Sequence, residues 1–264
     1  MYDFTYHRPS SLDDAAVAIK GAGDGTFLAG GQTLLPILKL RLANPSDVVD
    51  LGDIAELKGI TVDGDTVTIG AMTPHAEVAG SADVCAKIPA LADLAESIGD
   101  LQVRNRGTIG GSIANNDPAA DYPAAVVGLG ATVHTNARTI AADDFFTGLL
   151  ETALNDGEII TAVSFPVPDK AAYQKFGNPA SRYAIVGVML SSGSAGVRVA
   201  ITGAGPCVFR QGDMERVLAG SFSADAVAGV TVSADGLNSD IHASAKYRAH
   251  LVGVMAKRAV AACA

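Results

Sequence analysis

The chain has 264 residues, 48% of them hydrophobic and 18% charged, a balance that describes a folded globular protein and excludes a disordered one. Its 28 acids against 19 bases give a net charge of −9, which argues against DNA or RNA as a partner, because phosphate binding needs a basic surface. The three scattered cysteines, Cys85, Cys207 and Cys263, suit neither a disulfide framework nor a C-x-x-C metal site, and are one short of an ordinary iron–sulfur cluster.

The segment from Met1 to Pro9 has no apolar signal region, and no window approaches the length of a membrane span, so a cytoplasmic protein is expected. Ser10 or Ser11 caps a helix through Leu12 to Ile19, with acids in its first turn, and the cluster Gly21 to Gly25 ends it. That cluster is no dinucleotide fingerprint: Thr26 stands where G-x-G-x-x-G needs glycine, and a helix, not a strand, precedes it. Thr26 to Ala29 reads as a strand, Thr33 to Leu42 as a helix and Ser46 to Leu51 as a strand, making a small β-α-β-α-β unit. Ile60 to Ile69 alternates around Asp-Gly and reads as a hairpin, followed by helices over Pro74 to Ala79 and Ile88 to Ile98 and then a long glycine-rich loop. A helix over Pro123 to Gly128 and strands over Ala131 to Thr135 and Glu158 to Phe165 lead to a boundary at Pro166 to Asp169.

Beyond the boundary, Ala172 to Phe176, Ala184 to Ser191, Gly196 to Gly203 and Cys207 to Arg210 have the period of strands in a meander. Gly212 to Gly220, Ser223 to Ala228 and Ser244 to Ala262 read as helices, giving a C-terminal α+β domain. The last of these carries Tyr247, Leu251, Val254 and Met255 on one face, read as core, with Lys246, Arg248, Lys257 and Arg258 elsewhere.

Two glycine loops carry the functional signal. Thr108-Ile109-Gly110-Gly111-Ser112 offers paired glycines, whose freedom at positive φ lets backbone N–H groups converge on an anion, and Ala29-Gly30-Gly31-Gln32-Thr33 offers a second such cradle before a helix N-terminus. Tight turns are the commoner use of glycine, but two cradles together suit a diphosphate. Asp121 cannot serve a phosphate and is expected to accept hydrogen bonds from ribose or ribityl hydroxyls, the alternative being a cap on the helix near Pro123. Arg104 and Arg106 stand beside the Thr108 to Ser112 loop, either neutralising diphosphate or fixing the loop. The five histidines have no ligand spacing, and Ser112 lacks a G-x-S-x-G elbow, so neither a metal site nor a hydrolase triad is expected.

Ala29 to Thr33, Gln102 to Ser112, Asp117-Pro-Ala-Ala-Asp121, Tyr173 to Phe176 and Ser239 to Arg248 together make the chain resemble the FAD-binding medium subunit of molybdenum hydroxylases, almost end to end. The resemblance implies an α+β fold with FAD bound as in vanillyl-alcohol oxidase and p-cresol methylhydroxylase. Residues 1–168 would form the FAD-binding domain, in subdomains of about 1–56 and 57–168, and residues 169–264 a domain covering the flavin. It also implies that Ile160 lends its backbone to the flavin, that Lys175 stands near the ring or its phosphates unless it is a solvated charge, and that Tyr183 sets its ring against the isoalloxazine unless it is core. Gln32 stands where the carbon monoxide dehydrogenase branch often has histidine, so that substrate is not implied.

By the same resemblance the molybdenum cofactor sits on a large partner subunit and 2Fe-2S clusters on a small one, in a dimer of heterotrimers. FAD on this chain would take electrons from the clusters and pass them to an external acceptor. The alternatives are a self-contained flavin oxidase or reductase, for which no substrate base is evident, and a nucleotide-binding module without redox function.

Overall fold

A computed structural model describes residues 1–263. Three short strands, Thr5–His7, Gly25–Leu28 and Asp47–Asp50, lie parallel with the third between the other two, joined by helices Leu12–Gly21 and Leu34–Lys39. The first helix starts where the hydroxyl of Ser11 accepts the N–H of Asp14. The second is shorter than the span Thr33 to Leu42. Arg41 takes φ 57°, its N–H donates to Leu38 O and that of Leu42 to Ile37 O, so a left-handed C-terminal turn closes the helix at Lys39.

The second sheet is antiparallel, in the order Ile60–Asp63, Thr66–Gly70, Ile160–Pro166, Thr132–Thr135, Thr139–Ala141. The hairpin falls where Asp-Gly placed it, with Gly64 at φ 56°. Six helices lie in the sequence between Thr66–Gly70 and Thr132–Thr135: His75–Gly80, Ala82–Lys87, Pro89–Glu96, Leu101–Arg104, Ile109–Asn115 and Tyr122–Gly128. They supply much of the main core, with Leu91, Leu94, Ile109, Ile113 and Tyr122 fully enclosed against Val67, Ile69 and Val163 of the sheet.

The stretch Ile109–Asn115 corrects the sequence reading, which left it as part of a loop. Thr108 is its N-cap, the hydroxyl accepting the N–H of Gly111 at 3.2 Å. Adjacent glycines each cost a helix about 1 kcal/mol relative to alanine, which hides it locally. Tertiary contact overrides that preference, because a Cβ on Gly110 would stand 2.7 Å from the carbonyl oxygen of Ala71, so only glycine lets this turn meet the sheet.

The third sheet is the expected meander, Lys170–Gly177, Ala184–Gly193, Gly196–Thr202 and Phe209–Arg210 in sequence order. Helices Gly212–Gly220, Ala224–Ala228 and Ala245–Ala262 enclose its second core, around Val188, Ile201, Met214 and Val252. The long helix is rotated relative to the expected face: Tyr247 is 43% exposed, while Arg248 is only 4% exposed. A two-stranded hairpin, Phe146–Gly148 with Glu151–Thr152, is held by the left-handed Asn116, whose amide donates to Gly148 O at 2.9 Å and Glu151 O at 2.7 Å. Among the described residues no helix is long and apolar enough to cross a membrane.

Candidate functional site

A cleft of about 530 Å³ lies where the first glycine loop, the helix Ile109–Asn115 and the turn Ser181 to Tyr183 meet. Ala29, Gly30, Gly31, Gln32, Thr33, Thr108, Gly111, Ser112, Asp121 and Tyr183 all line it, so the two glycine segments do converge. Ile109, Gly110, Ile160 and Lys175 are not among the lining residues. Ile109 and Ile160 belong to the core, Gly110 is pressed on Ala71, and Lys175 stands behind Asp121.

The two glycine segments play different parts. Among the described residues no protein acceptor takes the N–H of Gly30, Gly31, Gln32 or Thr33, so four successive donors are left for an anion. Gly31 at φ 75° turns the chain to expose them, a conformation glycine adopts without penalty. In the second segment four of the five donors expected for a phosphate are already used: Ile109 N–H donates to Thr73 O, Gly110 N–H to Ala71 O, Gly111 N–H to the Thr108 hydroxyl and Ser112 N–H to Thr108 O, which leaves the N–H of Thr108. That segment contributes shape instead. A Cβ on Gly30 would overlap the Arg106 carbonyl, and one on Gly111 would stand 3.2 Å from the Ala29 Cβ, so the two loops touch backbone to backbone.

Asp121 is 4% exposed at the cleft wall. Its Oδ1 accepts the phenol hydroxyl of Tyr173 and lies 3.0 Å from Lys175 Nζ, which also donates to Ser97 O at 2.9 Å. Burial and the neighbouring Asp121 charge raise the Tyr173 phenol well above its usual range, so it is the donor in that bond. The side chain of Asp121 makes no capping bond to the helix Tyr122–Gly128, which removes the capping alternative. Lys175 is a buried ion-pair partner instead of a solvated charge, its side chain 10% exposed.

Arg104 turns away from the cleft, donating to Ile98 O at 3.1 Å, Gly99 O at 3.4 Å and Glu96 Oε1 at 2.9 Å, so it fixes the loop. Arg182 went unnoticed in the sequence. It lines the cleft at φ 62° and donates to Gly99 O at 3.0 Å, latching the turn that carries the half-exposed Tyr183 across to the loop before the helix Leu101–Arg104. His75 also lines the cleft, 5% exposed, its imidazole pushed down to about 4 by burial and then by the charge of Arg104. Nothing local in Thr-Pro-His-Ala-Glu signals that position.

This combination fits a flavin dinucleotide. Free backbone donors at Gly30 to Thr33 suit the diphosphate, Asp121 and Asn115 offer acceptors for hydroxyls, and Phe27, Ile98, Val103 and the Tyr183 ring give apolar walls for aromatic rings.

Residues 2–168 match the family described as the FAD binding domain in molybdopterin dehydrogenase, and the chain belongs to that family, as a medium, flavin-bearing subunit of a molybdenum-containing oxidoreductase. It is 37% identical to the carbon monoxide dehydrogenase medium chain of Hydrogenophaga pseudoflava, over 97% of this chain and 96% of that one. It is equally 37% identical to the nicotine 6-hydroxylase medium subunit of Paenarthrobacter nicotinovorans, over 97% and 95%. Its fold superposes on a chain of the reconstituted CO dehydrogenase of Oligotropha carboxidovorans with a TM-score of 0.91 at 35% identity, covering 99% of this chain and 97% of that one.

Proposed function

We propose that this chain carries FAD in the cleft and serves as the electron exit of a molybdenum hydroxylase, receiving electrons from 2Fe-2S clusters on a small subunit while the molybdenum cofactor sits on a large one. The observation that carries this reading is the row of four unpartnered N–H donors at Gly30 to Thr33 in one cleft with the ion-paired Asp121, in a chain of this family. FAD, when bound, supplies the exchange between one-electron and two-electron chemistry.

The chain's own residues bind, orient and shield. The Gly30 to Thr33 donors hold the diphosphate, with the hydroxyls of Thr108 and Ser112 beside them. Lys175 and Tyr173 hold Asp121 in place and offset its charge, so an acid can stand near a dianion and turn its remaining acceptor sites to sugar hydroxyls. Tyr183, fixed through Arg182, covers an apolar edge of the cleft and excludes water. Ile160, 6% exposed and outside the cleft lining, packs in the core.

In this reading residues 1–168 form the FAD-binding domain, in subdomains of about 1–56 and 57–168, and residues 169–264 the domain that closes over it, within a cytoplasmic dimer of heterotrimers. Coexpression with the two partner genes and sizing of the purified complex tests it. Three kinds of subunit with flavin absorbance are expected. A flavin-free chain that associates with neither partner would overturn it.

A further inference from the structure

The run Ser239 to Arg248 is among the segments that carry the resemblance to the family, yet none of it lines the cleft. Arg248 is the third residue after the first helical position Ala245, on a helix capped by Ser244, and its guanidinium is buried to 5% exposure. It spans three acceptors: Nη1 donates to Ile185 O at 2.6 Å and to Gly203 O at 2.8 Å, and Nη2 donates to Asp240 Oδ2 at 2.7 Å. Asp240 is fixed in turn, its Oδ1 accepting the N–H groups of His242 at 2.9 Å and Ala243 at 3.0 Å.

The two carbonyls that Arg248 takes belong to the ends of neighbouring meander strands. These same ends hold the segment leading into Asp121. Gly203 N–H donates to Pro118 O at 2.8 Å and Ala184 N–H to Ala119 O at 3.2 Å. The hydroxyl of Thr202 donates to Ala120 O at 2.6 Å. Every carbonyl from Pro118 to Ala120 is therefore anchored on the strand ends, and the next residue is the acid of the cleft wall. Gly203 has φ 80°, and a Cβ there would stand 2.6 Å from Ala184 O and 2.7 Å from Ile185 O, so the two strand ends are already as close as backbone allows. Such an approach crowds carbonyl oxygens together, and one guanidinium bridging Ile185 O and Gly203 O offsets their repulsion with a positive charge that is itself tethered to Asp240.

We propose that Arg248, held by Asp240, is a positioning residue for the cofactor cleft: it acts through the Ile185 and Gly203 carbonyls to fix Pro118 to Ala120, and so the place of Asp121. This rests on the FAD reading above only for its functional consequence; the positional claim stands without it. Arg248→Met keeps the unbranched apolar stem of the side chain and loses all three bonds. Asp240→Asn, at a side chain 45% exposed, is the milder variant if the first does not fold. Val252→Ala, in the same helix and fully buried, controls for loss of helix packing.

Two readouts separate the claims. Amide hydrogen exchange of the 264-residue chain without FAD should speed up at Ala119 to Asp121 in Arg248→Met, and by less in Asp240→Asn, but not in Val252→Ala at matched melting temperature. FAD affinity should fall by about tenfold in Arg248→Met, a usual size for coupling between separated sites, with the Val252→Ala value unchanged. Exchange at Ala119 to Asp121 that follows melting temperature alone across the three variants would overturn the proposal, leaving Arg248 as a staple of its own helix. Absence of FAD binding by the unmodified chain would overturn the functional reading instead, while the exchange result still decides the positional one.

Discussion

The carboxylate of Asp121 lies 3.0 Å from the ammonium of Lys175, 54 residues further along the chain, with both side chains buried. One comes from the turn after the glycine helix, the other from the first strand of the meander. The pair ties the two major cores together at the cleft wall, and removing one partner strands the other's charge in a low-dielectric setting.

Lys175→Met should therefore cost the apo-chain about 3–5 kcal/mol, the usual penalty for breaking a buried pair. Adding Asp121→Asn should recover most of that loss, because the orphaned charge is gone. Urea unfolding of the two single variants and the double variant measures the coupling. Additive losses would show that the two groups do not depend on each other.

Gly31→Ala should lower FAD affinity more than apo stability. The residue sits at φ 75°, where an L side chain costs about 1–2 kcal/mol, and its new Cβ would meet only the flexible side chains of Leu35 and Leu28, 2.9 and 3.2 Å away. The strain is relieved by turning the very peptide that presents the free donors. Gly30→Ala should act differently, lowering the melting temperature first, because its Cβ meets the Arg106 backbone. Thermal melts and FAD titrations of both variants, run without and with cofactor, distinguish the two effects.

How much of this was legible in the sequence differs from element to element. The meander was readable from short runs of strand length set between turn residues, although Ala184–Gly193 itself is a nearly continuous apolar run buried on both faces. The first glycine loop was readable because Gly30-Gly31 between a strand and a helix has few other uses. The helix Ile109–Asn115 was not, since its Gly-Gly first turn is poor helix sequence and its stability comes from Ala71 and Thr73, about 36 residues away along the chain. Arg248 was placed outside for a similar reason: a buried guanidinium is decided by carbonyls at Ile185 and Gly203 that no local pattern reveals. Lys175, read either as a neighbour of the cofactor or as a solvated charge, is a buried partner of the acid that reaches the cleft, a pairing across 54 residues that no local pattern reveals.

His75 should titrate near 4. Its folded value lies below the unfolded value of about 6.5, so the unfolded chain binds the proton more readily. Stability from this group is complete above about pH 6.5 and is lost as the pH falls toward 4. Imidazole NMR of the apo-chain reads the value directly, and His75→Gln should flatten the acid limb of the melting curve over that interval. A titration at the ordinary histidine value would contradict the burial of this ring.

Tyr173→Phe should leave the fold intact and loosen Asp121. A hydrogen bond to a charged group contributes about 1.5–3 kcal/mol, so the apo melting temperature should drop, and FAD should bind more weakly because the acid loses one of its two tethers. Unchanged FAD affinity with a lowered melting temperature would limit Tyr173 to packing.

Titration of the apo-chain with FAD, for the unmodified protein beside Asp121→Ala, is the most direct measurement of whether this cleft is the cofactor site. The unmodified chain should saturate at one FAD per chain. Loss of a charged acceptor worth about 1.5–3 kcal/mol should weaken the Asp121→Ala complex by roughly tenfold to a hundredfold. Failure of the unmodified chain to bind, or an unchanged dissociation constant in Asp121→Ala, would contradict it.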